Sequence, residues 1–133
     1  MKRHLCALAA ITLMGAGAAY AQDAAAGETV FKKCQSCHDV GENAKNRMGP
    51  VLNGVVDRVA GTYEGYKYST AMVDAGAGGL IWTPETLDPF LTTPRDYVPG
   101  TKMNYALKDA TDRANVIAYL QTLSTPAVAP PAP

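Results

Sequence analysis

The sequence is poor in the residues that most often bind metal ions. Its 133 residues include two histidines and three cysteines. A structural zinc site usually draws on four such side chains, so it has almost nothing to work with here. An excess of charge of one sign is also missing, since 12 basic residues face 12 acidic ones. A nucleic-acid binder needs a basic face, and this balance provides none. Long apolar runs are absent too. The longest, Leu5 to Ala18, covers about fourteen residues, where a bilayer-spanning helix needs about 20.

That short run follows Lys2, Arg3 and His4 and precedes Ala19-Tyr20-Ala21. A basic start, an apolar centre and a small-x-small end are the pattern of a secretory leader. Residues 1–21 are therefore expected to be cleaved near Ala21, with Gln22 as the new N-terminus and Cys6 leaving with the leader. The expected location is the periplasm, with no membrane span in the mature form. The mature chain then holds 10 basic and 12 acidic residues, a net charge of −2. At about 112 residues it is near the small end for a self-sufficient apolar core. A large buried prosthetic group would supply the missing interior.

The rest of the chain reads as helices separated by long loops, an all-α single domain over residues 22–123. Asp23 caps a first helix running to Lys33. Gly41 to Gly65 is rich in Gly, Asn and Pro and predicts loop. Tyr66 to Ala75 predicts a short helix that ends at Gly76. Thr83 followed by Pro84 predicts the start of another, which stops before Pro94. Thr111 is expected to cap the clearest helix, with Ala114, Ile117, Ala118 and Leu120 to Leu123 on one side. Residues 124–133 form a Pro/Ala-rich tail, expected to be extended and mobile. Loops of this length in a compact domain need something to pack on.

One short stretch carries the chemistry: Cys34-Gln35-Ser36-Cys37-His38. Four readings compete. A zinc site lacks a second cysteine pair and a second histidine. A thioredoxin-like redox pair needs a βαβ setting, which this helical chain does not predict. A Cys34–Cys37 disulfide closes a tiny ring and leaves His38 without a purpose. Cys-x-x-Cys-His is the attachment pattern of c-type haem. Two thiols spaced by one turn can add to the two vinyl groups of one macrocycle, and the following imidazole is carried beneath the iron. This reading accounts for all three residues.

The second axial position has three candidates in the mature chain: Met48, Met72 and Met103. Met48 lies only ten residues after His38 and is expected on the histidine side. Met72 sits in a helical pattern, where core filling is the usual role. Met103 is best placed. It follows the turn-rich Val98-Pro99-Gly100-Thr101-Lys102 and lies far enough along the chain to close the ring from the other side. An iron left open would instead suit gas or peroxide chemistry, and no distal His/Arg pair is evident for that.

With "CQSCH", "MGPVLNGVVDR", "AGTYEGYKYSTAM", "LIWTPETL", "PRDYVPGTKM" and "RANVIAYLQ", the sequence resembles class I c-type cytochromes over almost all of residues 23–123. Among these it is most similar to the soluble bacterial carriers that are themselves similar to mitochondrial cytochrome c. The resemblance implies a small cytochrome c fold around one haem c. The haem would be held covalently by Cys34 and Cys37, with His38 and Met103 on the iron. Pro50 would accept a hydrogen bond from His38. Arg58, Tyr68 and Trp82 would hold a haem propionate. Gly27, Phe31 and Tyr119 would join the first and last helices, Leu52, Leu87, Leu91 and Tyr97 would line the pocket, and Thr101 would support the Met103 side.

The resemblance also implies a monomeric one-electron carrier rather than an enzyme. It would meet redox partner proteins transiently at the exposed haem edge, with Lys32, Lys33, Lys45 and Lys102 steering an acidic partner. Four features depart from the family pattern. Phe90 stands where a tyrosine is frequent, Tyr105 where phenylalanine is, and Met72 where a polar residue is. Asp74 to Gly79 runs slightly long.

Overall fold

The computed structural model describes residues 23–124. The expected leader and the expected tail beyond Ser124 lie outside the described residues. Within them the chain forms five helices: α1 (Ala24–Phe31), α2 (Thr70–Ala77), α3 (Pro84–Thr92), α4 (Pro94–Tyr97) and α5 (Ala110–Thr122). Among the described residues the sole β pairing is an isolated antiparallel bridge between Val59 and Ile81. The all-α class expected from the pattern is the class observed.

Four of the five helices, all but α4, start where a side chain can satisfy free amides. The Asp23 carboxylate accepts from the Ala25 and Ala26 amides at 2.9 and 3.1 Å. Thr83 and Thr86 form a reciprocal capping box, with Pro84 where a missing N–H does no harm. The α5 cap is Asp109, which accepts from the Asp112 amide at 2.9 Å, and not Thr111 as expected. A carboxylate at this end also matches the helix dipole. The helix expected over Tyr66 to Ala75 instead spans Thr70–Ala77, because the Ser69 hydroxyl takes the Met72 amide and fixes the start there. The four-residue α4 went unread in the sequence.

The core forms where α1 crosses α5. Phe31 and Val116 are each about 1 % exposed, and the Phe31 and Tyr119 rings stand 5.4 Å apart at 50°. A fully buried Phe contributes about 2–3 kcal/mol through the area it removes from water. The helices meet at Gly27, where an added Cβ would run into the Asn115 carbonyl and stand 2.8 Å from Tyr119 Cβ. The Asp23 amide also donates to Asn115 Oδ1 at 3.1 Å, fastening the start of α1 to α5. Val55, Trp82, Leu87, Phe90, Val98 and Leu107 extend this core toward α3.

The long connection from His38 to Ser69 is held by side chains rather than by a sheet. Asn53 both accepts from the Gly41 amide and donates to the Gly41 carbonyl, at 2.9 and 2.7 Å. Asn46 takes the Val51 amide at 2.9 Å. One residue in this segment is strained. Asp57 has φ of 70° while its amide reaches the Trp82 carbonyl at 2.6 Å. Its side chain is exposed, so glycine would keep the bond and relieve the left-handed backbone. Asp57→Gly is expected to stabilise the holoprotein by about 0.5 kcal/mol, read as a melting temperature higher by about 2–4 °C. An unchanged or lower value would mean that the turn carries no strain.

Candidate haem site

After Phe31 the chain continues in tightened turns. The Lys33 amide reaches the Val30 carbonyl at 3.0 Å and Cys34 reaches Phe31 at 2.8 Å. Cys37 and His38 then both donate to the Cys34 carbonyl, at 3.1 and 2.9 Å. Two thiols and one imidazole therefore leave a single turn anchored to α1. Both cysteines are free and half-buried. Burial pushes the Cys34 thiol up, Cys37 adds to this, and Lys33 opposes it. Among the described residues no three His, Cys, Asp or Glu side chains gather as a set that could hold a metal ion.

His38 is half-buried and clamped from one side. Its Nδ1 lies 2.8 Å from the Pro50 carbonyl oxygen. Gly49 packs so closely on the ring that an added Cβ would lie 2.7 Å from Nδ1 and 2.9 Å from Nε2. The Gly49 amide is itself tied to the Cys37 carbonyl at 2.8 Å. Burial lowers the His38 pKa, while the Pro50 carbonyl works the other way. The ring is thus neutral near pH 7. A carbonyl partner fixes the proton on Nδ1 and leaves the Nε2 lone pair as the ligand atom.

The three methionines separate clearly. Met48 is 77 % exposed, Met72 is 7 % exposed inside the core cluster, and Met103 is half-buried at its margin. The Met103 amide donates to the buried Thr101 hydroxyl oxygen at 3.4 Å, and the neighbouring Lys102 ammonium donates to the Lys67 carbonyl. The loop before Met103 is therefore pinned at two points. Cys34, Leu52, Tyr68, Leu91 and Met103 all pack on the core yet stay only partly covered. Such an apolar wall is what a flat hydrophobic macrocycle would complete.

Arg58, Tyr68 and Trp82 lie near one another. The Trp82 amide donates to the Arg58 carbonyl at 2.9 Å, which sets the two residues side by side. The Arg58 guanidinium donates to the Asn53 and Val51 carbonyls at 3.0 and 3.3 Å and stands 4.8 Å over the Tyr63 ring. The Tyr63 amide donates to the Tyr68 hydroxyl at 3.1 Å, so that hydroxyl keeps its own proton to give. Burial pulls the Arg58 pKa down, with Tyr68 and Tyr63 acting in the opposite sense. The ion pairs among the described residues are Lys33–Asp112, Arg47–Asp39 and Arg113–Asp88. A half-buried guanidinium without a carboxylate fits a carboxylate brought by a ligand.

Other expected residues are placed as follows. Leu87 is buried, Leu52 and Leu91 are half-buried, and Tyr97 is 37 % exposed with its ring edge-on to Phe90 at 6.2 Å. Sequence reading missed Gly49, Tyr63 and Tyr66. The Tyr66 hydroxyl donates to the Met48 carbonyl at 2.6 Å, and its ring meets Tyr68 edge-on at 4.7 Å. The clustering of three tyrosines within six residues was the available signal.

The Cytochrome c family profile matches residues 24–124. The chain is 50% identical over 102 residues to a cytochrome c2 of Afifella marina, covering 76% of this chain and 82% of the relative. It is 46% identical over 124 residues to a cytochrome c2 of Rhodomicrobium vannielii, covering 92% and 97%. The solved structure of cytochrome c2 from Rhodospirillum centenum matches with a TM-score of 0.75 at 43% identity, over 77% of this chain and 98% of that one. These relatives are electron-transfer proteins and not enzymes. The attachment turn, the donor set and this similarity lead to one conclusion: the chain belongs to the cytochrome c family, as a class I c-type cytochrome with one haem c bound through Cys34 and Cys37.

Proposed function

We propose that this protein is a periplasmic shuttle that takes one electron at a time from membrane complexes or dehydrogenases to an oxidase or a reaction centre. Residues 1–21 direct export and are then removed, and the working protein is a monomer. Haem c, when bound, supplies an iron that alternates between Fe(II) and Fe(III). The chain's own residues make that change easy. His38 Nε2 and the Met103 thioether would hold the iron, and neither would need to leave. Pro50 and Gly49 hold the imidazole in one orientation and raise its basicity. The apolar wall excludes water, so little rearranges when the charge changes. Arg58, Tyr68 and Trp82 would hold a propionate, whose charge the Arg58 guanidinium would offset.

The observation that carries this reading is the clamped His38 one turn from two free thiols, with a half-buried methionine on a pinned loop. Among the described residues no helix is long and apolar enough to cross a membrane. Lys32, Lys45 and Lys102 steer an acidic partner toward the site, while Lys33 stands 2.9 Å from Asp112 and is largely neutralised. A closed iron site is tested with carbon monoxide. The ferrous holoprotein at neutral pH is expected to keep its spectrum unchanged under the gas. Rapid and complete binding would overturn the carrier reading in favour of a ligand-binding cytochrome.

A further inference from the structure

Among the described residues, two of the lysine and arginine side chains are half-buried, Arg58 and Arg113. Arg113 has Asp88 at 2.8 Å, whereas Arg58 has no carboxylate at ion-pair distance. Two carbonyls and a ring hold Arg58 instead. Its guanidinium donates to the Asn53 and Val51 carbonyls at 3.0 and 3.3 Å, and its central carbon stands 4.8 Å from the centre of the Tyr63 ring. A guanidinium carries five N–H donors. The carbonyls use two and the ring uses none, so three remain for a carboxylate brought by a ligand.

The Tyr63 ring is carried on a fixed piece of backbone. Its own amide donates to the Tyr68 hydroxyl at 3.1 Å. Just before it, the Thr62 hydroxyl donates to the Val59 carbonyl at 2.6 Å. Just after it, the Glu64 carbonyl accepts from Asn46 Nδ2 at 3.3 Å, and Asn46 Oδ1 takes the Val51 amide at 2.9 Å. Val51 is also one of the two residues whose carbonyls hold Arg58. The contacts therefore close on themselves, from Val51 through Asn46, Glu64, Tyr63 and Arg58 back to Val51. The Tyr63 hydroxyl has no partner among the described residues, so the face of the ring is the part that acts on Arg58.

A cation over an aromatic face is stabilised without giving up a donor. With the ring gone, a long arginine side chain held by two carbonyls alone is drawn outward to water. We propose that Tyr63 is a positioning residue for electron transfer: its ring stacks on the Arg58 guanidinium, keeps that charge in place for a haem carboxylate, and so holds the redox potential up. This rests on the reading that Arg58 would meet a propionate, and deepens it. A positive charge kept in a low-dielectric setting opposes the ferric state, while the same charge in water is largely screened.

The test uses the holoprotein in an optical electrochemical cell, where the ratio of ferrous to ferric protein is read at a fixed applied potential. Tyr63→Ala is expected to shift that ratio about threefold toward ferric, a fall in midpoint potential of about 30 mV at about 59 mV per tenfold change. Tyr63→Phe keeps the ring and should stay within about 1.3-fold of wild type. Arg58→Gln removes the charge and should shift the ratio about tenfold in the same direction. In the Arg58→Gln background Tyr63→Ala should add nothing, because the ring acts through the guanidinium. Nuclear magnetic resonance of the ferrous holoprotein gives a second readout. The Arg58 Nε proton should exchange with water about tenfold faster in Tyr63→Ala and at the wild-type rate in Tyr63→Phe. A Tyr63→Ala shift of equal size with and without Arg58 overturns the proposal, and so does a wild-type ratio or a wild-type exchange rate in Tyr63→Ala. A wild-type potential in Arg58→Gln would instead defeat the propionate reading itself, and the proposal with it.

Discussion

Met103→Ala opens the iron: the ferrous variant binds carbon monoxide fully at neutral pH, and its midpoint potential falls by about 0.1–0.3 V, within the roughly 0.8 V that axial ligands span. The direction follows from the ligand. A thioether is a weak donor that favours the ferrous state, as it does throughout cytochromes c. Water or a stronger donor in its place stabilises the ferric state. The assignment to Met103 rests on exposure and anchoring. Met48 is 77 % exposed on the turn that covers His38, and Met72 is 7 % exposed among Trp82, Leu87 and Phe90. Met103 alone sits half-covered at the margin of the core, with its amide on Thr101. Because it is only half-buried, losing its side chain costs less than the usual 2–5 kcal/mol for a buried methionine, so the variant should stay folded at room temperature. An absorption titration with the gas and a potentiometric titration check both parts. If the variant ignores carbon monoxide and keeps the wild-type potential, another side chain holds the iron. Met72→Leu would then identify the alternative.

The parts of this molecule that were legible in the sequence are those decided by neighbours in the chain. Asp23 and Thr83-Pro84 cap helices as their chemistry demands, and Cys34, Cys37 and His38 need only one turn to converge. Pro50 could be assigned only through resemblance, because nothing in twelve residues of loop says that its carbonyl folds back to 2.8 Å from His38 Nδ1. The misread helix between Tyr66 and Ser69 has a clear physical cause. Tyr66 and Tyr68 make side-chain bonds back along the loop, to the Met48 carbonyl and from the Tyr63 amide, which a helical backbone there would break. At the α5 start two capping residues compete, Asp109 and Thr111, and the charged one wins. Gly49 looked like a turn residue, yet its role is steric, since only a missing side chain lets the peptide lie against the imidazole. Such reasons live in the third dimension and leave no periodic trace.

The largest effect on stability is expected at Gly27, far from the iron ligands. Gly27→Ala adds a single methyl group, but its carbon would collide with the Asn115 carbonyl, lie 2.5 Å from Asn115 C or less after any small shift toward it, and stand 2.8 Å from Tyr119 Cβ. Two of these obstacles are backbone, so no rotamer change clears them, and α1 must move off α5. That movement loosens the Phe31–Tyr119 contact at 5.4 Å and the Asp23–Asn115 bond at 3.1 Å together. Overpacking a tight contact usually costs about 1–3 kcal/mol, and the coupled losses put this variant near the upper end, at about 3 kcal/mol. For a domain of this size the melting temperature should drop by about 10–20 °C. Glu28→Ala, one residue away and exposed, serves as the control and should stay within about 0.5 kcal/mol of wild type. The midpoint potential of folded Gly27→Ala should equal that of wild type, since the attachment turn is fastened separately through Gly49 and Pro50. A melt within 2–3 °C of wild type would mean that the two helices are not locked at this crossing. A shifted potential would mean that the α1–α5 contact also sets the geometry at His38.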